Sequence, residues 1–182
     1  MKAVVIYESM YGNTHQIANA IGEGLRPIAE VVVVPVGEAD ADLVKSADVV
    51  VVGGPTHAHG MSHVNTRKGA VDAAEKPGSD LVLDPDANDP GLREWFASLE
   101  HVFTNAAAFD TRFDLPAAVT GRASKGIARK LRHHGATLIA DPESFFVKKD
   151  NHLEPNEEAR ARAWGDELAR VLTSQIAAAA SR

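Results

Sequence analysis

The sequence predicts a three-layer, doubly wound α/β fold in a single domain, and three observations carry that expectation. Short continuous β-branched runs recur with Gly, Pro or Asp at their ends, the pattern of parallel strands buried on both faces. Segments with apolar residues at helical spacing stand between the runs, and right-handed crossovers then place helices on both faces of one sheet. The length of 182 residues suits one core and would cramp two unrelated ones.

Each element follows in order. The run Met1-Lys2-Ala3-Val4-Val5-Ile6-Tyr7 reads as a buried strand and is too short for a signal peptide's apolar region or a membrane span. Further strands are expected at Val31–Val34 and Val49–Val52. Between the first two, Ile17, Ile21 and Leu25 repeat every four residues, with Asn13 or Thr14 as the N-cap and Pro27 beyond the end. Turn chemistry from Gly69 to Gly91, including Pro77-Gly78-Ser79-Asp80 and Asp84–Pro90, predicts an exposed inserted loop before a short helix at Leu92–Leu99. A fourth strand is expected at His101–Ala107 and a helix around Ser124–His134. A fifth strand follows in Ala136–Ile139, continued by Ser144–Val147, and a long helix runs from about Pro155 with Ala159, Ala163, Trp164, Leu168, Val171 and Leu172 on one face.

Composition narrows the function. Hydrophobic residues at 45% and charged residues at 24% are those of a folded globular domain. Lys plus Arg number 19 against 25 Asp plus Glu, a net charge of −6 that argues against binding a nucleic acid backbone. The chain has no cysteine, which excludes disulfides, thiolate zinc, iron–sulfur clusters and a cysteine nucleophile and suits a reducing cytoplasm. Any redox chemistry must therefore come with a bound cofactor. Aromatic residues are only 5%, so few side chains are available to stack on a planar ligand.

Ligands of open α/β sheets bind beyond the carboxyl ends of the strands, so the first strand–helix turn is the place to look. It reads Glu8-Ser9-Met10-Tyr11-Gly12-Asn13-Thr14. Amides at a helix N-terminus with hydroxyl and amide side chains beside them suit a phosphate, and Gly12 permits a tight turn. The lysine of G-x-x-x-x-G-K-[ST] and the fingerprint G-x-G-x-x-G are both missing, and Gly22-Glu23-Gly24 lies at a helix end. What remains is a terminal phosphate monoester.

The run Ser9-Met10-Tyr11-Gly12-Asn13-Thr14 between strand and helix resembles the phosphate loop of the flavodoxin family, written [ST]-x-T-G-x-T, with Tyr11 in place of the middle Thr. Flavodoxin-like quinone reductases carry a similar Ser-Met-Tyr-Gly run. The resemblance implies a five-stranded parallel sheet in order 2-1-3-4-5, bound FMN, and electron transfer with a redox partner protein or a small-molecule acceptor. It places a second flavin loop at Pro55, Thr56, His57, Ala58, His59 and Gly60, whose backbone would meet the N5 edge of the ring. A third loop falls at Ala108, Phe109, Asp110, Thr111 and Arg112, with the ring held between Pro55–Met61 and Ala108–Phe113. The usual Trp and Tyr clamp is absent; His57, His59, Phe109 and Phe113 stand in those loops. Arg112 either faces N1 of the flavin or pairs with Asp110 or Asp114. Two other readings stay open: an FMN-dependent reductase or oxidase of a quinone-like acceptor, and a flavin-free module.

Competing patterns are weaker. His57, His59 and His63 lack an acidic or thiol partner for a metal. Asp84-x-Asp86-x-Asn88 lacks the glycine and final glutamate of a calcium loop and reads as solvated. No G-x-S-x-G elbow occurs. His133 and His134 suit a helix C-terminus, and Trp95, Trp164, Phe145 and Phe146 read as core.

Overall fold

A computed structural model describes residues 1–101 and 104–180. The elements are β1 (Lys2–Tyr7), α1 (Asn13–Leu25), β2 (Glu30–Pro35), α2 (Ala41–Lys45), β3 (Val49–His57), β4 (Gly60–Met61), α3 (Val64–Ala74) and α4 (Leu92–Ser98). They continue as β5 (Asn105–Phe113), α5 (Ala117–Thr120), α6 (Ala123–His133), β6 (Thr137–Leu138), β7 (Glu143–Val147) and α7 (Glu157–Ala180).

The central pairs are all parallel, in the order β2-β1-β3-β5. The next position is shared, since β6 pairs with Asn105–Ala106 and β7 with Phe109–Phe113. Counted as one interrupted fifth strand, these two give the order 2-1-3-4-5. The two-residue β4 folds back antiparallel on the end of β3.

Alternate strand residues feed two cores, which is why the valine runs are continuous. Val4, Ile6, Val50, Val52, Ala106 and Ala108 pack with Leu92, Trp95 and Phe96 of α4 and Ile127 and Leu131 of α6. Ala3, Val5, Val49, Val51, Ala107 and Phe109 face Ile17, Ile21 and Leu25 of α1 and Trp164, Leu168 and Leu172 of α7. Trp95, Trp164 and Phe145 are buried, whereas Phe146 is half-buried beneath the guanidinium groups of Arg112 and Arg160.

Three expectations are corrected. The fourth strand lies at Asn105–Phe113 rather than His101–Ala107, while Val102 and Phe103 lie outside the described residues. It runs on through Asp110 because that buried carboxylate accepts the Ser124 N–H at 2.7 Å. The first part of the expected Gly69–Gly91 loop is the end of α3, which runs to Ala74. The remainder is not simply solvated, since Asp84 and Ala87 are buried.

Candidate functional site

The first turn is built to present amides. Beyond β1 the Glu8 N–H donates to the Gly53 carbonyl at 2.9 Å, and the Glu8 carboxylate accepts the Leu92 N–H at 2.8 Å. Gly12 then takes φ +87°, a left-handed conformation that glycine adopts freely, and donates its N–H to Ser9 Oγ at 3.1 Å. The first helical bond of α1 is Gln16 N–H to Gly12 O at 2.9 Å. The N–H groups of Tyr11, Asn13, Thr14 and His15 consequently have no acceptor among the described residues, and the first turn of α1 holds no acidic residue. Thr14 Oγ1 lies 2.7 Å from Thr111 Oγ1; one hydroxyl donates and the other keeps its proton for a ligand. The Asn13 side chain does not join this set, because its Nδ2 donates to the Asn151 carbonyl at 2.9 Å.

A cleft of about 370 Å³ opens over this turn, at the carboxyl ends of β1, β3 and β5. Ser9, Met10, Tyr11, Asn13 and Thr14 line it, with Pro55, Thr56 and His57 from β3 and Thr111, Arg112 and Phe113 from β5. Gly12 supplies the turn without lining the cleft. Ala58, His59 and Gly60 also stay off its wall: Ala58 and His59 form the two-residue turn of the β3–β4 hairpin, at φ 45° and 74°. Such primed turns favour Asn-Gly, so an Ala-His pair stores strain beside the cleft. Gly121 at φ +73° bridges to His59, and a Cβ there would stand 2.1 Å from the His59 carbonyl oxygen.

The third predicted loop lies elsewhere than a loop. Ala108, Phe109 and Asp110 stand inside β5, fully buried, and do not line the cleft. Phe109 packs edge-on against Phe145 and Trp164. Arg112 makes no ion pair among the described residues. One of its amino groups donates to Leu115 O at 2.6 Å and to Thr120 Oγ1 at 3.2 Å, and its guanidinium sits 4.8 Å from the Phe146 ring centre.

Sequence reasoning missed the far wall, made by Thr66, Gly69, Ala70 and Ala73 of α3 together with Val147 and Asn151. Asn151 alone carried a local signal. It sits at φ 64° in a turn written Lys149-Asp150-Asn151, and asparagine tolerates that conformation.

Burial pushes the His57 imidazole below its ordinary range; the Glu8 carboxylate opposes this and the Arg67 guanidinium adds to it. The unfolded chain takes up a proton as pH falls through about 6.5, and the folded ring resists doing so. Stability should therefore decline as the pH drops below that value, down to the lowered folded pKa. His57→Gln is expected to remove this component, so that its unfolding free energy falls less between pH 7.5 and 5.5 than the wild type's. Equal losses in denaturant titrations would refute the assignment.

Strand order 2-1-3 reverses direction between β1 and β3, so the cleft lies at the topological switch point. Fold and cleft together define an open, doubly wound α/β domain with a ligand-sized cleft at the carboxyl edge of its sheet. The family model described as flavodoxin matches residues 5–98, just over half of the chain, and the chain belongs to the flavodoxin family. An archaeal flavodoxin is 24% identical with a TM-score of 0.64, over 95% of this chain and 99% of that one. Oxidised flavodoxin 1 from Bacillus cereus is 21% identical with a TM-score of 0.63, over 93% and 98%. Rubredoxin oxygen:oxidoreductase from Desulfovibrio gigas is 19% identical with a TM-score of 0.60, over 97% of this chain but only 37% of that one. These likenesses establish the fold. No curated protein gives a significant match. Among the described residues no helix is long and apolar enough to cross a membrane.

Proposed function

We propose that the protein binds FMN in this cleft and passes electrons to a redox partner protein or a small-molecule acceptor. The observation that carries the reading is the row of unaccepted amides at Tyr11 and Asn13–His15, set over the Thr14–Thr111 hydroxyl pair. Such a donor set fits a phosphate monoester, whose charge the α1 dipole favours. When bound, FMN supplies the one- and two-electron chemistry. The chain's part is to hold and screen it. Ser9 and the threonine pair give hydroxyl donors, Tyr11, His57 and Phe113 offer rings to a planar group, and Arg112 contributes the positive charge lining the cleft.

Titration of flavin-free protein with FMN, followed by fluorescence quenching, tests this directly. Thr14→Val should weaken binding by about 1–3 kcal/mol, because a charged acceptor loses a hydrogen bond. Unchanged affinity would place the phosphate elsewhere. A protein that cannot be loaded with FMN at all would be a flavin-free module. Rapid reduction by nicotinamide nucleotides without any partner protein would mark an FMN-dependent reductase instead of a carrier.

A further inference from the structure

We propose that the segment between α3 and α4, residues 75–91, is a working part of the phosphate site, with Asp84 as the positioning residue that aims the loop's amides. The proposal rests on the phosphate reading of Ser9–Thr14. The Asp84 N–H donates to the Met10 carbonyl at 2.9 Å. Peptide bonds are planar, and the described chain has no cis bond. Holding the Met10 carbonyl therefore turns the Tyr11 N–H to the opposite side of the same plane, and that N–H is one of the amides without an acceptor.

The Asp84 side chain ties down the other end of the turn. It is 1% exposed, and its Oδ2 lies 3.3 Å from Nδ1 of His15, in the first turn of α1. His15 in turn stacks on Tyr7, at 4.4 Å between ring centres and 16° between planes, and the Tyr7 hydroxyl donates to Asp86 at 3.2 Å. The segment thus grips the phosphate turn before it, within it and after it. A small apolar cluster backs these bonds, with Leu83 and Ala87 against Met10, Tyr11 and Ala70. The Tyr11 hydroxyl donates to the Ala70 carbonyl at 2.8 Å, which gives the unusual tyrosine of this loop a task. Burying a carboxylate for one imidazole and a weak backbone contact is costly, and a solvated connector would not require it.

Linkage makes the idea testable: what holds the turn in its anion-binding shape must be held by the anion in return. Binding of FMN should be compared with that of riboflavin, which lacks the phosphate, in the wild type, Asp84→Ala and His15→Ala. Each variant is expected to weaken FMN binding by about tenfold while riboflavin binding stays within about twofold. Hydrogen exchange at the Asp84 amide should slow when FMN or inorganic phosphate is added, but not with riboflavin. The His15 side chain is 37% exposed, so its variant remains informative if the buried Asp84 replacement does not fold. Equal losses for both flavins, no loss for either, or exchange indifferent to phosphate would overturn the proposal. A wild type that binds FMN no better than riboflavin would instead overturn the phosphate reading beneath it.

Discussion

Gly24→Ala is expected to lower the unfolding free energy by about 2–3 kcal/mol, even though alanine suits a helix better than glycine by about 1 kcal/mol. For a domain of this size the melting temperature should fall by about 4–12 °C. The cause is the crossing of α1 and α7. A Cβ on Gly24 would stand 2.3 Å from the Arg162 carbonyl oxygen, 2.7 Å from the Asp166 nitrogen and 2.9 Å from the Gly165 carbonyl carbon. All three are main-chain atoms, so no rotamer change relieves the clash. Gly165 answers from the other helix, where a Cβ would lie 2.4 Å from the Ile21 carbonyl oxygen. Gly69→Ala in α3 is the control, because a Cβ there would meet nothing within 4 Å. That variant should gain up to about 1 kcal/mol. Chemical denaturation of the pair decides the matter: a Gly24 variant as stable as the wild type would show that the helices can part at little cost.

The same glycine marks how far the sequence could be read. Gly22-Glu23-Gly24 was dismissible as a nucleotide motif from its place at a helix end, but its partner Gly165 lies on a helix far along the chain. The sheet was legible because its valines are buried on both faces and so appear as unbroken runs. Helix α1 was legible through Ile17, Ile21 and Leu25, and α7 through its apolar face. Helix α3 was not, since its buried residues are Arg67 and Ala70 and its cleft-facing ones include Thr66, Gly69 and Ala73. No apolar stripe exists there to recognise. Of the cleft's walls, the turn at Ser9–Thr14 was legible because its residues are contiguous and their geometry is local. The opposite wall joins α3 to Val147 and Asn151, positions brought together only by the finished fold. Asp110 was hidden for a different reason: the family resemblance set it in a loop, and only the fold shows the Ser124 amide that its buried Oδ2 accepts.

Phe109 carries the second large effect, and it separates stability from binding. Phe109→Ala is expected to cost about 3–5 kcal/mol, the usual range for emptying a buried phenylalanine site. Its ring lies fully buried, edge-on to Phe145 at 6.2 Å and to Trp164 at 6.5 Å between centres. Over it passes Gly53, where a Cβ would stand 2.2 Å from the ring, so the lack of a side chain at position 53 serves Phe109 from the neighbouring strand. Phe113, four residues on, emerges 48% exposed at the cleft. Phe113→Ala should leave stability within about 0.5 kcal/mol and weaken FMN by about 0.5–1.5 kcal/mol, the worth of one aromatic contact. Phe109→Leu, which keeps most of the buried volume, should bind FMN as the wild type does. Strand geometry and burial together require this split: Phe109, Thr111 and Phe113 share one face of β5, and cover on that face ends between Thr111 and Phe113. Should Phe109→Leu lose as much flavin affinity as Phe113→Ala, the ring would lie deeper than the cleft allows, and the placement of the third loop inside β5 would have to be abandoned.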